Sequence, residues 1–390
     1  MLQNIFLSIL VLILLLDLCL YLQLRIHRVR SLWLRGLYWL PSVLLVVRSF
    51  LLVNDSARAF AAGYPRLIEW LSAAFLVLTL PKLLLTLWMS VGWLLGKLWP
   101  ISRKWMVITG CAVAGCCSLV LFYGVVEGPT KLTVKEVDYR SSRLPHGFNG
   151  FRIVQISDLH IGSFRYRPQV IERMVEMINA QQADLIVFTG DLVNFQAAEV
   201  CGFEPILSQL KARYGVYSIL GNHDYATYLQ GSSPEQQAAD LDSLKQKQGE
   251  MGWAMLNNDH TLLHRQGDSI ALAGVENDGE PPFSQHADLR NALQGADSLF
   301  TILLSHNPTH WKREVLPESK VDLMLSGHTH GMQFVIGNYS PSRHRYPEWG
   351  GMYLERERGL YVNLGIGYLG LPFRLGAWPE ITVITLHKTN

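Results

Sequence analysis

Charge is what this 390-residue chain has least of: 17% of its residues are Asp, Glu, Lys or Arg, against 49% hydrophobic. Soluble domains average about a quarter charged. Acidic residues are almost missing from the first 126 positions, which hold only Asp17, Asp55 and Glu69 beside eleven Lys and Arg, a balance of +8. The other 264 residues carry 23 basic and 29 acidic side chains. Cysteine is sparse as well. Cys19, Cys111, Cys116 and Cys117 lie in apolar runs, and only Cys201 falls in the polar part. With no CxxC pair, neither a disulfide framework nor a structural zinc cluster is expected. No basic stripe of the kind that binds nucleic acid occurs, and there is no internal repeat or low-complexity tract. A mean hydropathy of +0.15 excludes a disordered chain.

The first third is instead rich in long apolar runs. A membrane-spanning helix needs about 20 mostly apolar residues. Four segments meet or approach that length, at about 5–22, 37–53, 67–96 and 106–126. No basic residues precede the first and no small-residue cleavage site follows it, so it reads as an anchor and not a secretion signal. The third contains Pro81-Lys82 and is expected to kink or tilt. The fourth holds Gly110, Ala112, Ala114 and Gly115, which suit close helix packing. Lys and Arg in short loops set orientation. Arg25, Arg28, Arg30 and Arg35 follow the first segment, and Lys97, Arg103 and Lys104 follow the third. Placing those loops in the cytoplasm puts the C-terminal domain on the far side. The expectation is a multi-pass protein of the cell membrane with an extracytoplasmic domain. Charges inside a membrane usually pair within the helix bundle. Asp17 and Lys82 lie at depths that differ by about 5 Å, at ~1.5 Å per residue, and are expected to meet. Arg48, near the end of its segment, is expected to snorkel.

From Leu132 the pattern changes. Short apolar runs at 151–156, 185–188, 216–220, 269–273, 299–304, 321–325, 361–363 and 381–386 read as strands. Helical spacing appears at 168–180, 204–212 and 241–248. This alternation indicates an α/β sandwich whose sheets are covered by helices. Residues 127–150 read as a linker and first strand, and 151–390 as the second domain.

The polar residues of this second part gather where the strands end, and in open α/β sheets the carboxyl ends of strands converge on a site. The clusters are Asp158-Leu-His160, Gly190-Asp191, Gly221-Asn222-His223-Asp224, Ser305-His306-Asn307 and Gly327-His328-Thr-His330. Asp, His and Asn together form an oxygen and nitrogen ligand set without thiolate, suited to Mn, Fe or Zn. Two such ions about 3.5–4 Å apart can activate a water and clamp the oxygens of a phosphoryl centre. His310, four residues after His306, reads as a helix-face residue. The remaining histidines read as surface or loop residues.

These five clusters, in this order, resemble the calcineurin-like metallophosphoesterase family, over roughly residues 152–386. The resemblance is closest to a membrane-associated branch that includes UDP-diacylglucosamine pyrophosphatase-like enzymes and YaeI- and YkuE-type relatives. The tail from Gly365 to Ile381 looks like that branch's closing motif. The resemblance implies a four-layer α/β/β/α sandwich preceded by a helical transmembrane domain of about four spans. It implies two divalent ions, with manganese favoured. Asp158, His160 and His330 would hold the first and Asn222, His306 and His328 the second, with Asp191 bridging. His223 would face the substrate as acid or charge stabiliser, and Asp224 would orient it. The leading reading is hydrolysis of a phosphate ester or diphosphate by a metal-bound hydroxide. The membrane segments point to a phospholipid or lipid-linked substrate. Alternatives are a tethered phosphoesterase for soluble substrates, or a transport or sensory module with a regulatory phosphoesterase domain. The glycine-rich apolar stretch 364–378 reads either as a core-closing loop or as a lip facing the membrane. In the second case Arg374 would reach a substrate phosphate, because a guanidinium fork matches phosphate oxygens.

Overall fold

The computed structural model describes residues 103–389 apart from 230, 282 and 297, together with 32–53, 65–97 and parts of 11–22. The expected orientation rests largely on Arg25, Arg28, Arg30 and the side chains of Arg35, Arg103 and Lys104, which lie outside the described residues. So does the side chain of Arg48, and with it the expected snorkelling.

Among the described residues the N-terminal part contains three long helices: α1 (Leu32–Val53), α2 (Pro65–Leu95) and α3 (Arg103–Val126). Two stretches are long and apolar enough to cross a membrane, Glu69–Leu95 and Trp105–Thr130, and Tyr38–Val47 is a shorter apolar stretch. Two spans of sufficient length are thus present among the described residues, fewer than the four expected. Leu87, Trp93, Leu119 and Phe122 are exposed on α2 and α3, as lipid-facing side chains would be. A Cβ on Gly110 of α3 would sit 2.9 Å from both Leu85 and Trp88 of α2. The small residue therefore sets how closely these helices approach. The Trp88 indole N–H donates to Thr109 Oγ1 at 3.2 Å across the same contact.

The expected intramembrane pair is present. Lys82 Nζ lies 2.9 Å from Asp17 Oδ2, and both side chains are buried. The ammonium also donates to the Tyr38 carbonyl at 2.9 Å and to Ser42 Oγ at 3.2 Å. Ser42 Oγ in turn donates to Asp17 Oδ2. Lys82 Nζ stands 3.8 Å from the centroid of the Tyr38 ring. All three ammonium hydrogens have acceptors, which an isolated charge in an apolar bundle would lack.

The second compact unit comprises Gly128–Leu369 and Arg374–Asn390. Its strands are β1 (Thr133–Ser141), β2 (Arg152–Ile156), β3 (Leu185–Phe188), β4 (Val216–Ser218), β5 (Trp253–Met255), β6 (Asp259–Arg265), β7 (Asp268–Gly274), β8 (Phe300–Leu304), β9 (Leu323–Ser326), β10 (Gly351–Glu355), β11 (Arg358–Val362) and β12 (Glu380–Lys388). They form two six-stranded mixed sheets, ordered β1-β12-β2-β3-β4-β5 and β10-β11-β9-β8-β7-β6. Alternation along each strand decides which layer a side chain joins. Ile153, Leu185 and Val187 of the first sheet meet Ile270, Leu272, Ile302, Leu304, Leu323 and Leu325 of the second, so the sheets pack face to face. Val154, Ile156, Ile186 and Phe188 point the other way, against Val170, Ile171, Met174, Val175 and Ile178 of helix α4 (Pro168–Asn179). Ala273, Leu303 and Met324 pack outward against Leu289, Ala292, Trp311 and Val315. Helices thus cover both outer faces.

The helix expected at 204–212 is a single turn, Glu204–Leu207. The one expected at 241–248 is longer, as α5 (Pro234–Glu250). Ser233 Oγ accepts the Gln236 N–H while Gln236 Oε1 accepts the Ser233 N–H, a reciprocal cap that starts α5 seven residues early. The edge strands β5, β6 and β10 lack the long apolar runs of the interior strands.

Neutralising one member of the Asp17–Lys82 pair should strand the other charge. Asp17→Asn and Lys82→Met are each expected to cost about 3–5 kcal/mol, and the double variant less than their sum, measured as thermal unfolding in detergent. Strict additivity would show that the pair does not couple.

Candidate metal centre

β2, β3 and β4 run parallel in one sheet, and β7, β8, β9 and β11 in the other. The segments leaving β2, β3, β4, β8 and β9 at their carboxyl ends bring together all seven expected ligands. Five of these are held in left-handed backbone: Asp158 (φ 50°), His160 (43°), Asp191 (61°), His328 (73°) and His330 (49°). Such conformations cost non-glycine residues about 1–3 kcal/mol each and persist only where the surroundings enforce them. Two glycines allow the close approach. A Cβ on Gly221 would collide with Asp191 Oδ1, and one on Gly327 with Ser157 Oγ and Asp158 Oδ2.

The ligand atoms fall into two buried groups, Asp158 with His160 and His330, and Asp191 with His306 and His328. In the first, His330 Nε2 is 3.2 Å from Asp158 Oδ1 and 3.1 Å from His160 Nε2. In the second, His306 Nε2 is 3.1 Å from Asp191 Oδ2 and 3.2 Å from His328 Nδ1. Asp191 Oδ2 is also 3.7 Å from His160 Nε2. One carboxylate thus stands between the groups. Asn222 stands between Gly221 and His223, which both approach Asp191, and its Oδ1 is buried with no hydrogen-bond partner. A buried acceptor left open in this segment suits a cation.

Outer partners decide which nitrogen each ring presents. His160 Nδ1 donates to Val193 O at 3.2 Å and His306 Nδ1 to Thr189 O at 2.8 Å, leaving both Nε2 atoms facing inward. His330 differs. Arg374 Nη2–H donates to its Nδ1 at 2.8 Å, so the ring hydrogen sits on Nε2 beside Asp158. An ion at the first position would have to displace that hydrogen.

The electrostatics follow from burial and proximity. Burial pushes His160 down to about 3, and burial with the neighbouring His306 does the same to His328. Burial also acts against charge on His306, but the Asp191 carboxylate outweighs it and lifts the ring to about 9. For the carboxyls burial favours protonation. His330 beside Asp158, and His306 with His223 beside Asp191, nevertheless hold both below the usual carboxylate range.

Two expected roles need correction. Asp224 does not orient the His223 ring. Its carboxylate accepts the backbone N–H groups of Asp191, Leu192, Val193 and Gly221 at 2.8–3.2 Å, and so ties the segment after β3 to the one after β4. The His223 ring is oriented by Asn194, whose carbonyl accepts from Nδ1 at 2.7 Å. Arg374 does not reach out toward a phosphate. It is 0% exposed, and its guanidinium also donates to the carbonyls of Leu364, Gly367 and Ala377. His310 stands at a helix start, as expected. It is buried between Asp278 and Glu314, with Arg313 also on Asp278.

Residues that no motif singled out also shape the site. Glu199 accepts the Asn194 N–H at 2.7 Å and the Phe195 N–H at 2.9 Å, holding the turn that supports His223. Tyr228 and Tyr346 contact Asn222 and His328. None of these stands at a strand end, and their spacing from the ligands carries no periodic signal.

Comparison with known proteins agrees with this geometry. Residues 151–332 match the family described as calcineurin-like phosphoesterase. Residues 3–129 match one described as a probable calcineurin-like phosphoesterase, transmembrane domain. The chain is 33% identical over 296 residues to YkuE, an uncharacterized metallophosphoesterase of Bacillus subtilis, covering 72% of this chain and 95% of that one. It is 32% identical over 281 residues to a transmembrane protein with metallophosphoesterase domain from Danio rerio, covering 70% of this chain and 61% of that one. The corresponding Bos taurus protein is 33% identical over 275 residues, covering 67% and 59%. The chain thus spans about three fifths of the length of these two animal relatives.

A two-sheet α/β domain with two His and carboxylate groups sharing an aspartate defines a metal-dependent hydrolase. The chain belongs to the calcineurin-like metallophosphoesterase family, with an N-terminal transmembrane domain. It is a phosphoester hydrolase of the membrane, and its paired ligand groups imply two divalent ions.

If Glu199 positions His223 through Asn194, Glu199→Ala should keep both ions and lower turnover by about 10-fold or more. Elemental analysis beside steady-state rates checks this. Loss of metal in proportion to activity would place Glu199 in the scaffold of the ligands instead.

Proposed function

We propose that this protein hydrolyses a phosphate ester or diphosphate of a lipid-linked substrate, through two ions held by the strand-end cluster. The observation that carries the reading is Asp191, whose Oδ2 faces His306 at 3.1 Å and His160 at 3.7 Å, beside the open Asn222 Oδ1. Asp158, His160 and His330 hold the first ion. Asn222, His306 and His328 hold the second, and Asp191 serves both. When bound, such a pair supplies an activated water and neutralises phosphoryl oxygens. The set has no thiolate and suits Mn, Fe or Zn, and manganese is our preferred occupant on the family resemblance.

The chain's own contribution is orientation and proton transfer. The hydrogen on His223 Nδ1 is committed to Asn194 O, so Nε2 is the nitrogen available to substrate. In its protonated form the ring gives the hydrogen on Nε2 to the leaving oxygen and keeps the one on Nδ1. The His223 N–H also donates to Asp191 Oδ1 at 2.8 Å, which fixes the acid relative to the shared carboxylate.

The lipid-linked substrate is supported by the apolar stretch Trp105–Thr130, which precedes β1 at Thr133 by only a few residues. About four spans within 1–126, with 127–150 as connector and 151–390 as catalytic domain, complete the reading. The basic loops support an extracytoplasmic catalytic domain. Phosphate release from a membrane lipid extract by purified full-length protein tests the substrate class. Turnover of soluble phosphodiesters alone would favour a tethered enzyme for soluble substrates.

Asp191→Asn should lose both ions together, whereas Asn222→Ala should empty mainly the second position. Elemental analysis decides, and a fully loaded Asp191 variant overturns the assignment. His223→Ala should retain both ions and lose about 10²–10⁴-fold in turnover. A leaving group of low pKa should restore most of it. Equal loss with good and poor leaving groups would make His223 a charge stabiliser.

A further inference from the structure

Asn222 and His328 are both ambiguous ligands by chemistry. An amide can present oxygen or nitrogen, and an imidazole either of two nitrogens; only the hydrogen-bond network chooses. In each case a tyrosine hydroxyl holds the side chain from one side. Asn222 Nδ2–H donates to Tyr228 Oη at 3.1 Å, which leaves Oδ1 as the open, buried acceptor. His328 Nε2 lies 2.8 Å from Tyr346 Oη, while its Nδ1 faces His306 Nε2. The ligands of the first group have no such partners. His160 rests on a backbone carbonyl and His330 on Arg374. The tyrosine rings add to the fixing. Tyr228 stacks on His223 with centroids 4.4 Å apart, and Tyr346 meets the edge of His328 at 5.3 Å.

We infer that Tyr228 and Tyr346 are positioning residues that set the affinity of the second metal position and not of the first. The inference rests on the two-ion reading above. Tyr228 is the freer of the two, 38% exposed, whereas Tyr346 is buried. Without the Tyr228 hydroxyl the Asn222 amide can turn its nitrogen inward, where it repels a cation. Without the Tyr346 hydroxyl His328 Nε2 loses its hydrogen-bond partner, and the ring is no longer held with Nδ1 toward His306.

The test is Mn²⁺ titration of the demetallated full-length protein in detergent, resolving two binding steps, for wild type, Tyr228→Phe and Tyr346→Phe. Each Phe variant should bind the first ion as wild type does and the second about 10–100-fold more weakly. The melting temperature of the metal-free protein should be unchanged. A third variant separates positioning from packing. In an Asn222→Asp background both ends of the side chain offer oxygen, so adding Tyr228→Phe should no longer weaken the second step. Unchanged second steps in both Phe variants overturn the inference, as does equal weakening of both steps with a lowered melting temperature. A wild type that binds fewer than two ions overturns the two-ion reading itself, a result distinct from two-ion binding that ignores the tyrosines.

Discussion

The Asp224 carboxylate is the bond on which the centre hangs. Its two oxygens collect four backbone N–H groups, from Asp191, Leu192, Val193 and Gly221. A buried carboxylate is costly unless its lone pairs are satisfied, and here satisfying them requires the segments after β3 and β4 to lie side by side. That closeness delivers Asp191 between His160 and His306, and it sets the His223 N–H on Asp191 Oδ1. The arrangement carries its own tension. Burial and the adjacent Asp191 charge push Asp224 up to about 7, against the pull of the N–H donors. Positive charge beside Asp191 relieves that repulsion, so the clamp and the ions it positions favour one another.

The surrounding sandwich makes such strain affordable. Five ligands sit in left-handed backbone, which local preference disfavours. They remain there because β2, β3, β8 and β9 are buried in the centres of their sheets and cannot yield. The close approach of Gly221 to Asp191, and of Gly327 to Asp158, brings the carboxylates nearer the backbone than any side chain at those positions would allow. The buried interior thus enforces a geometry that the segments would not adopt alone.

In the membrane part, one ion pair carries a similar burden. Lys82 and Asp17 lie on helical segments far apart in sequence, and Tyr38 and Ser42 of α1 complete the cluster. In an apolar bundle, partners for such charges come only from neighbouring helices, so the cluster ties together three largely apolar segments. Apolar contacts between such helices specify little register; a saturated ammonium specifies it to within a side chain.

Much of this was legible in the sequence, for identifiable reasons. Interior strands such as Ile153–Ile156 and Leu185–Phe188 announce themselves as apolar runs. Catalytic groups must then sit where those runs stop, so Asp158, Asp191, Asn222, His306 and His328 could be read as a set before any fold was known. The intramembrane pair was legible because two charges stood out in a charge-poor third at similar depth. Composition and period therefore determined the class of fold, the ligand types and their order along the chain. The edge strands β5, β6 and β10, half exposed and without apolar runs, left no such trace. What only the tertiary structure decided is which atom each ligand presents and what holds it. Arg374 looked like a phosphate contact because its guanidinium suits one, yet folding buries it behind His330. Asp224 adjoins His223 in sequence but points into backbone, while Asn194 and Glu199 do the orienting from another segment. Tyr228 and Tyr346 likewise acquire their roles through space. Hydrogen-bond direction depends on positions to within a fraction of an ångström, contributed by separate segments of the chain, and no local pattern encodes that.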